Sequence, residues 1–201
     1  MHKNDQLDDV IHNKKEMKEW LKYELYHKYG KEDTIYGLFQ DLFLVTEGAI
    51  LRRHIILLRK TEYFINTNKK IRALIYKLLL RKFQNKYALN IPINRCGKGF
   101  KIMHLGPVLI NEKAIIGKDC SLHMNTAVVA GGSNNGVPRL DDGVVVGIGA
   151  VVLGNIYIAK NVAIGANAVV NKSVTEENIA VAGVPARKIS SNGRLVWKDR
   201  Q

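Results

Sequence analysis

"LDDGVVVGIGAVVLGNIYIAKNVAIGANAVV", residues 140–170, sets an aliphatic side chain at every sixth position. Leu140, Val146, Val152, Ile158, Ile164 and Val170 keep one register, and Ile110, Ile116, Leu122 and Val128 hold the same spacing upstream. Four positions behind most of these comes a small or β-branched residue: Ala114, Cys120, Thr126, Val144, Ala150, Val162 and Ala168. Gly117, Gly147 and Gly165 directly follow an aliphatic. A six-residue period suits a short strand plus a tight corner. Three such units close a triangular coil of about eighteen residues, with the aliphatics pointing inward and neighbouring coils pairing as parallel strands roughly 4.8 Å apart. One coil cannot bury its own aliphatics, so several must stack.

The register slips twice. Cys96, Ile102 and Val108 share one phase and Ile110 onward is displaced by two, so an insertion lies within "MHLGPVLI", residues 103–110, beside His104. A bulge there re-aims a side chain. The second break is "AGGSNNGVP", residues 130–138, where Asn134 takes the place of an aliphatic and Gly, Ser, Asn and Pro mark an excursion from the wall. A bulge beside a loop is what a binding groove needs.

Before residue 90 the apolar spacing is helical. "KKEMKEWLKYELYHKYG" carries Met17, Trp20, Leu21, Glu24 and Leu25 at steps of three and four, with Gly30 as its stop. One or two further helical stretches cover Ile35 to Phe64. A third runs from Lys69 to Tyr87, where Ile71, Leu74, Ile75, Leu78, Leu79 and Phe83 form the expected packing face. The fold class is α+β: a helical region over residues 1–88, a parallel β-helix over 89–175 and an extension over 176–201.

The repeats resemble those of the hexapeptide-repeat acyltransferases, whose prism is a left-handed parallel β-helix. The handedness comes from the resemblance, because parallel crossovers are ordinarily right-handed. The two interruptions, "GKGFKIMH", "AVAGVPARKI" and the helical first half resemble the serine acetyltransferase branch. "LRKTEYFIN" and "IPINRCGKGF" are similar to enzymes of capsule and other surface-polysaccharide gene clusters.

That resemblance implies that His104 is a general base, taking a proton from an acceptor hydroxyl as it attacks the thioester of acetyl-CoA. Read from the residues alone, His104 is first a coil residue with a hydrogen-bonded ring. The serine enzymes orient their base with an aspartate just before the first hexad. Here that stretch is "ALNIPIN" and the match is Asn90, with Glu24 on the first helix as a substitute carboxylate. Met103 and Gly136–Val137 stand where those enzymes carry an aspartate and an Arg-His pair, so the groups that grip an amino acid are missing. A sugar hydroxyl in a capsular or other surface polysaccharide is therefore the expected acceptor, with His123, Met103 and Glu24 placed around it; His123 also reads as the base itself or as a plain surface histidine on the wall. Serine is the alternative acceptor.

By the same resemblance, acetyl-CoA lies along the outer wall against Gly131, Gly132, Ile148, Gly149 and Ala166, and Lys172 and Arg187 face its phosphates. A solvated basic tail is the other reading of those two cations. The resemblance also implies a homotrimer with sites between subunits, or a dimer of trimers joined through the helices.

The net charge of +13 over 201 residues points to anionic partners. Residues 52–88 hold eleven Lys and Arg against Glu62 alone. They form a solvated helix face or a docking surface for an anionic glycan or the inner membrane face. No nucleic-acid-binding motif accompanies the charge. Cys96 and Cys120 occupy small-residue repeat positions and read as buried, reduced thiols. "LFLVTEGAILRRHIILL" is broken by Glu47, Arg52, Arg53 and His54, and "MHKNDQLDDV" lacks a signal-peptide core, so a cytoplasmic location is expected. Two further readings are a non-catalytic scaffold and a zinc-dependent carbonic anhydrase. The latter requires three histidines per site, and only His104 and His123 fall in the prism. No metal is expected.

Overall fold

A computed structural model of the chain describes residues 7, 9–30, 46–132 and 136–194. Helix α1 spans Lys14–Tyr23. Its N-cap Asn13 accepts from the amides of Lys15 and Glu16, at 2.9 and 3.0 Å, and Glu16 reaches back to the His12 amide, a reciprocal cap. The helix widens into a π-turn, Glu24–Lys28, which ends before Gly30. Helix α2 spans Glu47–Asn66 and helix α3 spans Lys70–Tyr87. The part of the second expected helix before residue 46 lies outside the described residues.

The packing face of α3 differs from the expected one. Ile71, Leu74, Ile75, Leu78 and Leu79 are exposed. The contacts to α2 come from the opposite side, where Tyr76 meets Phe64 with ring centroids 4.8 Å apart, Leu80 is buried, and Phe83 stacks near His54. Both stripes repeat at three and four residues, so periodicity alone does not choose between them.

From Leu89 onward the chain winds as a triangular coil. One face carries β1 (Leu89–Asn90), β3 (Val108–Ile110), β6 (Thr126–Val129), β9 (Val151–Leu153) and β12 (Val169–Val170) in that order. A second carries β4 (Ile115–Ile116), β7 (Arg139–Leu140) and β10 (Tyr157–Ile158), extended by bridges at Cys96 and Val174. The third carries β2 (Lys101–Ile102), β5 (Ser121–Leu122), β8 (Val145–Val146), β11 (Ala163–Ile164), β13 (Ala180–Gly183) and the antiparallel β14 (Ala186–Ser190). The six-residue aliphatics from Ile110 to Val170 are all buried along the axis, and Cys96 and Cys120 sit there as free thiols. Corners turn through left-handed residues, which favours Gly, Asn and Asp. Gly143 (φ +74°) stacks under Asn161 (φ +55°), whose carboxamide would meet any Cβ at position 143.

Strand register locates both interruptions. Ordinary partners lie eighteen residues apart, as for Val151 and Val169. Lys101 pairs instead with Ser121, twenty residues on, whereas Val108 pairs with Thr126 at the regular spacing. The two extra residues therefore fall between β2 and β3. Ala127 pairs with Val151, six residues beyond the regular spacing, so the segment between β6 and β7 leaves the wall. Residues 133–135 of that segment, with Asn134, lie outside the described ones.

The helices are joined to the first coil by a buried ion cluster. Arg59 on α2 contacts Glu24 at 2.7 Å and Glu62 at 2.8 Å, and donates to the carbonyls of Cys96 and Gly97. Glu24 accepts from the Gly99 amide and Glu62 from the Asn94 amide, while Trp20 stacks on the guanidinium at 4.9 Å. Burial pulls against the charge on Arg59, but the two carboxylates outweigh it and hold the guanidinium protonated.

Candidate functional site

The insertion between β2 and β3 carries His104 off the prism wall, leaving its side chain 55 % exposed. Its Nδ1 lies 3.5 Å from Oε1 of Glu47, the first residue of α2. The same carboxylate oxygen accepts a 2.6 Å hydrogen bond from the Leu105 amide. Thr46 caps the helix by accepting from the Ala49 amide, which fixes the start of α2 beside the bulge. An acid in a first helical turn is ordinarily explained by the helix dipole. Glu47 has a second role here, because it ties the bulge down and faces the imidazole. A carboxylate at Nδ1 favours the tautomer with its proton there and leaves Nε2 as the acceptor.

His123, at the end of β5, faces His104 with ring centroids 5.8 Å apart and planes tilted by 42°. Burial, then His104, then Lys101 hold the pKa of His123 below the ordinary histidine range, which keeps its ring neutral. Lys101 is half-buried, and burial together with Lys28 lowers its ammonium pKa. The site thus combines a solvent-facing imidazole with a carboxylate behind it, a second neutral imidazole, and a partly desolvated cation.

One expected residue is corrected. Glu24 is fully buried, and its carboxylate is occupied by Arg59 and the Gly99 amide, so it serves the helix–prism joint and not the acceptor. Asn90 pairs with Leu109 on β3 and lines an open cleft of about 540 Å³ with Arg81, Gln84 and Asn85. Glu47 is the carboxylate that contacts His104. Sequence reasoning treated Glu47 only as a charge interrupting an apolar run. Its signal was the Thr-Glu pair opening a helix, but nothing in the sequence said which coil that helix end would meet.

Backbone bonds order the remaining residues along one edge of the prism. Met103 bonds to Leu122, His123 to Val146, Gly147 to Ile164, and Gly165 to Val181, each residue sitting one coil above its predecessor. The corner following these strands therefore runs from His104 past Met124 and Ile148–Gly149 to Ala166, about 14 Å over three coils. Ile148 and Ala166 are exposed on it. Gly149 (φ +70°) faces the Asn167 carboxamide, a packing reason for glycine at that corner. Gly131 and Gly132 lie after β6, on a different corner, and Gly132 faces open space. Lys172 is exposed after β12, and Arg187 on β14 pairs with Ala182 near the Ala166 end of the edge. Among the described residues no group of three or more His, Cys, Asp or Glu is placed to hold a metal.

A triangular coil of six-residue repeats with an imidazole on its outer edge defines the class of fold, a hexapeptide-repeat prism. No protein-family model matches the chain. It is similar to serine acetyltransferase of Haemophilus influenzae, 34 % identical over 137 residues, covering 67 % of this chain and 50 % of that protein. Serine acetyltransferase of Synechococcus elongatus is 41 % identical over 104 residues, covering 51 % and 42 %. The chain spans about half the length of these curated relatives. The crystal structure of Brucella abortus serine acetyltransferase in complex with coenzyme A superposes with a TM-score of 0.65 at 24 % identity, covering 90 % of this chain and 70 % of that one. A serine acetyltransferase complex with cysteine gives 0.62 at 22 % identity, covering 88 % and 71 %. These structures show the fold, helices followed by a left-handed parallel β-helix. The sequence relatives support the hexapeptide-repeat acyltransferase family. They also overturn the expected sugar acceptor, since they are named for serine and give the surface-polysaccharide branch no support.

Proposed function

We propose that the chain is an acetyl-CoA-dependent serine O-acetyltransferase with His104 as its base. The observation carrying this reading is the Glu47–His104 contact on the edge that leads to Ala166. Nε2 of His104 takes the hydroxyl proton as the serine oxygen bonds to the thioester carbonyl carbon. The carbon–sulfur bond then breaks, and the imidazolium returns its proton to the departing thiolate. The products are O-acetylserine and coenzyme A. Glu47 stabilises the imidazolium between those steps, and neutral His123 flanks the reacting oxygen.

Met103 and Gly136–Val137 supply no charge to the acceptor, so this reading gives the serine carboxylate to Lys101. Acetyl-CoA rests along Ile148 and Ala166, with Arg187 toward its phosphates. The likeness to a coenzyme A complex and the exposure of that edge support this placement. Exposed Leu109 and Ile148 support association of copies through the prism walls, in keeping with a trimer.

The test is thiol release from acetyl-CoA with L-serine, with the product identified by mass. Release requires serine, His104→Ala lowers kcat by about 10²- to 10⁴-fold, and Lys101→Met raises KM for serine more than it lowers kcat. Serine-independent release, or an active His104→Ala variant, overturns the reading.

A further inference from the structure

The outward face of α3 is apolar and uncovered. Ile71, Leu74, Ile75, Leu78 and Leu79 are between 48 % and 79 % exposed. At 3.6 residues per turn they form one continuous stripe opposite the face that packs on α2. Lys70, Lys77 and Arg81 run along one flank of the stripe, Arg72 lies on the other, and Lys82 and Lys86 close its C-terminal end. α3 contains no acidic residue, and among the described residues no ion pair to any of these six cations is found.

We propose that α3 docks on an anionic phospholipid surface. The helix would lie in the plane of the headgroups with its aliphatics in the acyl boundary and its cations at the phosphates. Charge selects this occupant. A second copy meeting the first across the same stripe would oppose cation to cation, with no acid on α3 to relieve it, whereas a bilayer rich in anionic lipid complements both the stripe and its flanks. Cations bordering an apolar stripe are also placed to extend their stems over it and keep their charges in the headgroup layer. The contact is peripheral. Among the described residues no helix is long and apolar enough to cross a membrane. At about 27 Å, α3 is long enough to lie along the surface.

The test is co-sedimentation of the full chain with vesicles of phosphatidylcholine alone and of phosphatidylcholine mixed with phosphatidylglycerol. The chain sediments with the mixed vesicles only, and added salt weakens binding. The double variant Leu74→Glu/Leu78→Glu abolishes it. Lys77→Gln/Lys82→Gln weakens it by roughly five-fold for each cation removed. Circular dichroism and thermal unfolding report whether each variant is folded, and the lysine pair carries the test should the glutamates unfold the chain. Absence of sedimentation with mixed vesicles overturns the proposal, as does equal sedimentation of wild type and both variants. A change in oligomeric mass of Leu74→Glu/Leu78→Glu by light scattering without lipid overturns it in favour of a face between copies. None of these outcomes depends on serine being the acceptor.

Discussion

The Glu47 carboxylate answers two groups at once, the imidazole of His104 and the amide of Leu105. The tasks separate in a Glu47→Gln variant. A glutamine oxygen still accepts from the Leu105 amide, so the bulge keeps its shape, but the negative charge beside the imidazole is gone. On the proposed reading, the kcat of serine acetylation should fall by about one to two orders of magnitude with little change in KM for acetyl-CoA. That is less than the roughly 10⁴-fold loss on replacing the buried acid of a serine-protease triad, because Glu47 is half exposed and water screens it. Glu47→Asp should recover part of the loss by restoring the charge at a longer reach. A Glu47→Gln enzyme with unchanged kcat would leave the carboxylate as a helix cap and nothing more. Cys96 and Cys120 stand at the other extreme of reactivity. Burial raises both thiols, Cys120 to about 12, and leaves them packing residues.

At the scale of the element, α2 buries an imidazole that ordinarily titrates in the physiological range. His54 is fully buried against Phe83, with Nε2 3.2 Å from the Gln84 amide nitrogen, which also donates to the Ile91 carbonyl. With that amide as donor, Nε2 accepts and the ring proton sits on Nδ1, which has no hydrogen-bond partner among the described residues. Burial first, then Arg59, pull the pKa of His54 from 6.5 down to about 3. The unfolded chain therefore takes up a proton that the folded chain refuses. The contribution to stability is full above pH 6.5 and is lost as pH falls toward 3, at up to about 1.4 kcal/mol per pH unit. Urea unfolding across that window should show a shallower acid slope for His54→Phe than for wild type; parallel slopes would mean the ring is protonated in the fold.

The same two helices mark where the sequence is legible and where it is not. The six-residue register states the prism outright, because each aliphatic has only the axis to point at, and a two-residue slip displaces everything after it. The outward position of His104 could be read from that slip. In α3, by contrast, apolar residues occupy both sides, so the face that meets α2 is settled by Phe64, Tyr76 and Phe83 fitting together. Glu47 was unreadable for a related reason. Its partner lies fifty-seven residues away across a helix–coil joint whose angle no local pattern encodes.

At the scale of the molecule, that joint is Arg59, with Glu24 from the π-turn, Glu62 one turn on, and the carbonyls of Cys96 and Gly97 from the first coil. Glu47 lies twelve residues before Arg59 on the same helix, about 18 Å along its axis. The cluster therefore sets how the far end of α2 meets the bulge at His104. Arg59→Ala leaves two carboxylates buried without a counter-ion, and removing one partner of such a group costs about 3–5 kcal/mol. Denaturant unfolding should show that loss. The triple variant Arg59→Ala/Glu24→Gln/Glu62→Gln should regain part of it, because neutral amides tolerate burial better than stranded charges. The triple variant also separates stability from alignment. If the joint positions α2, its folded fraction should still turn over serine slowly, with the kcat defect of Glu47→Gln and an ordinary KM for acetyl-CoA. Full kcat in that variant would show that α2 finds the bulge without Arg59, and the cluster would then be a matter of stability alone.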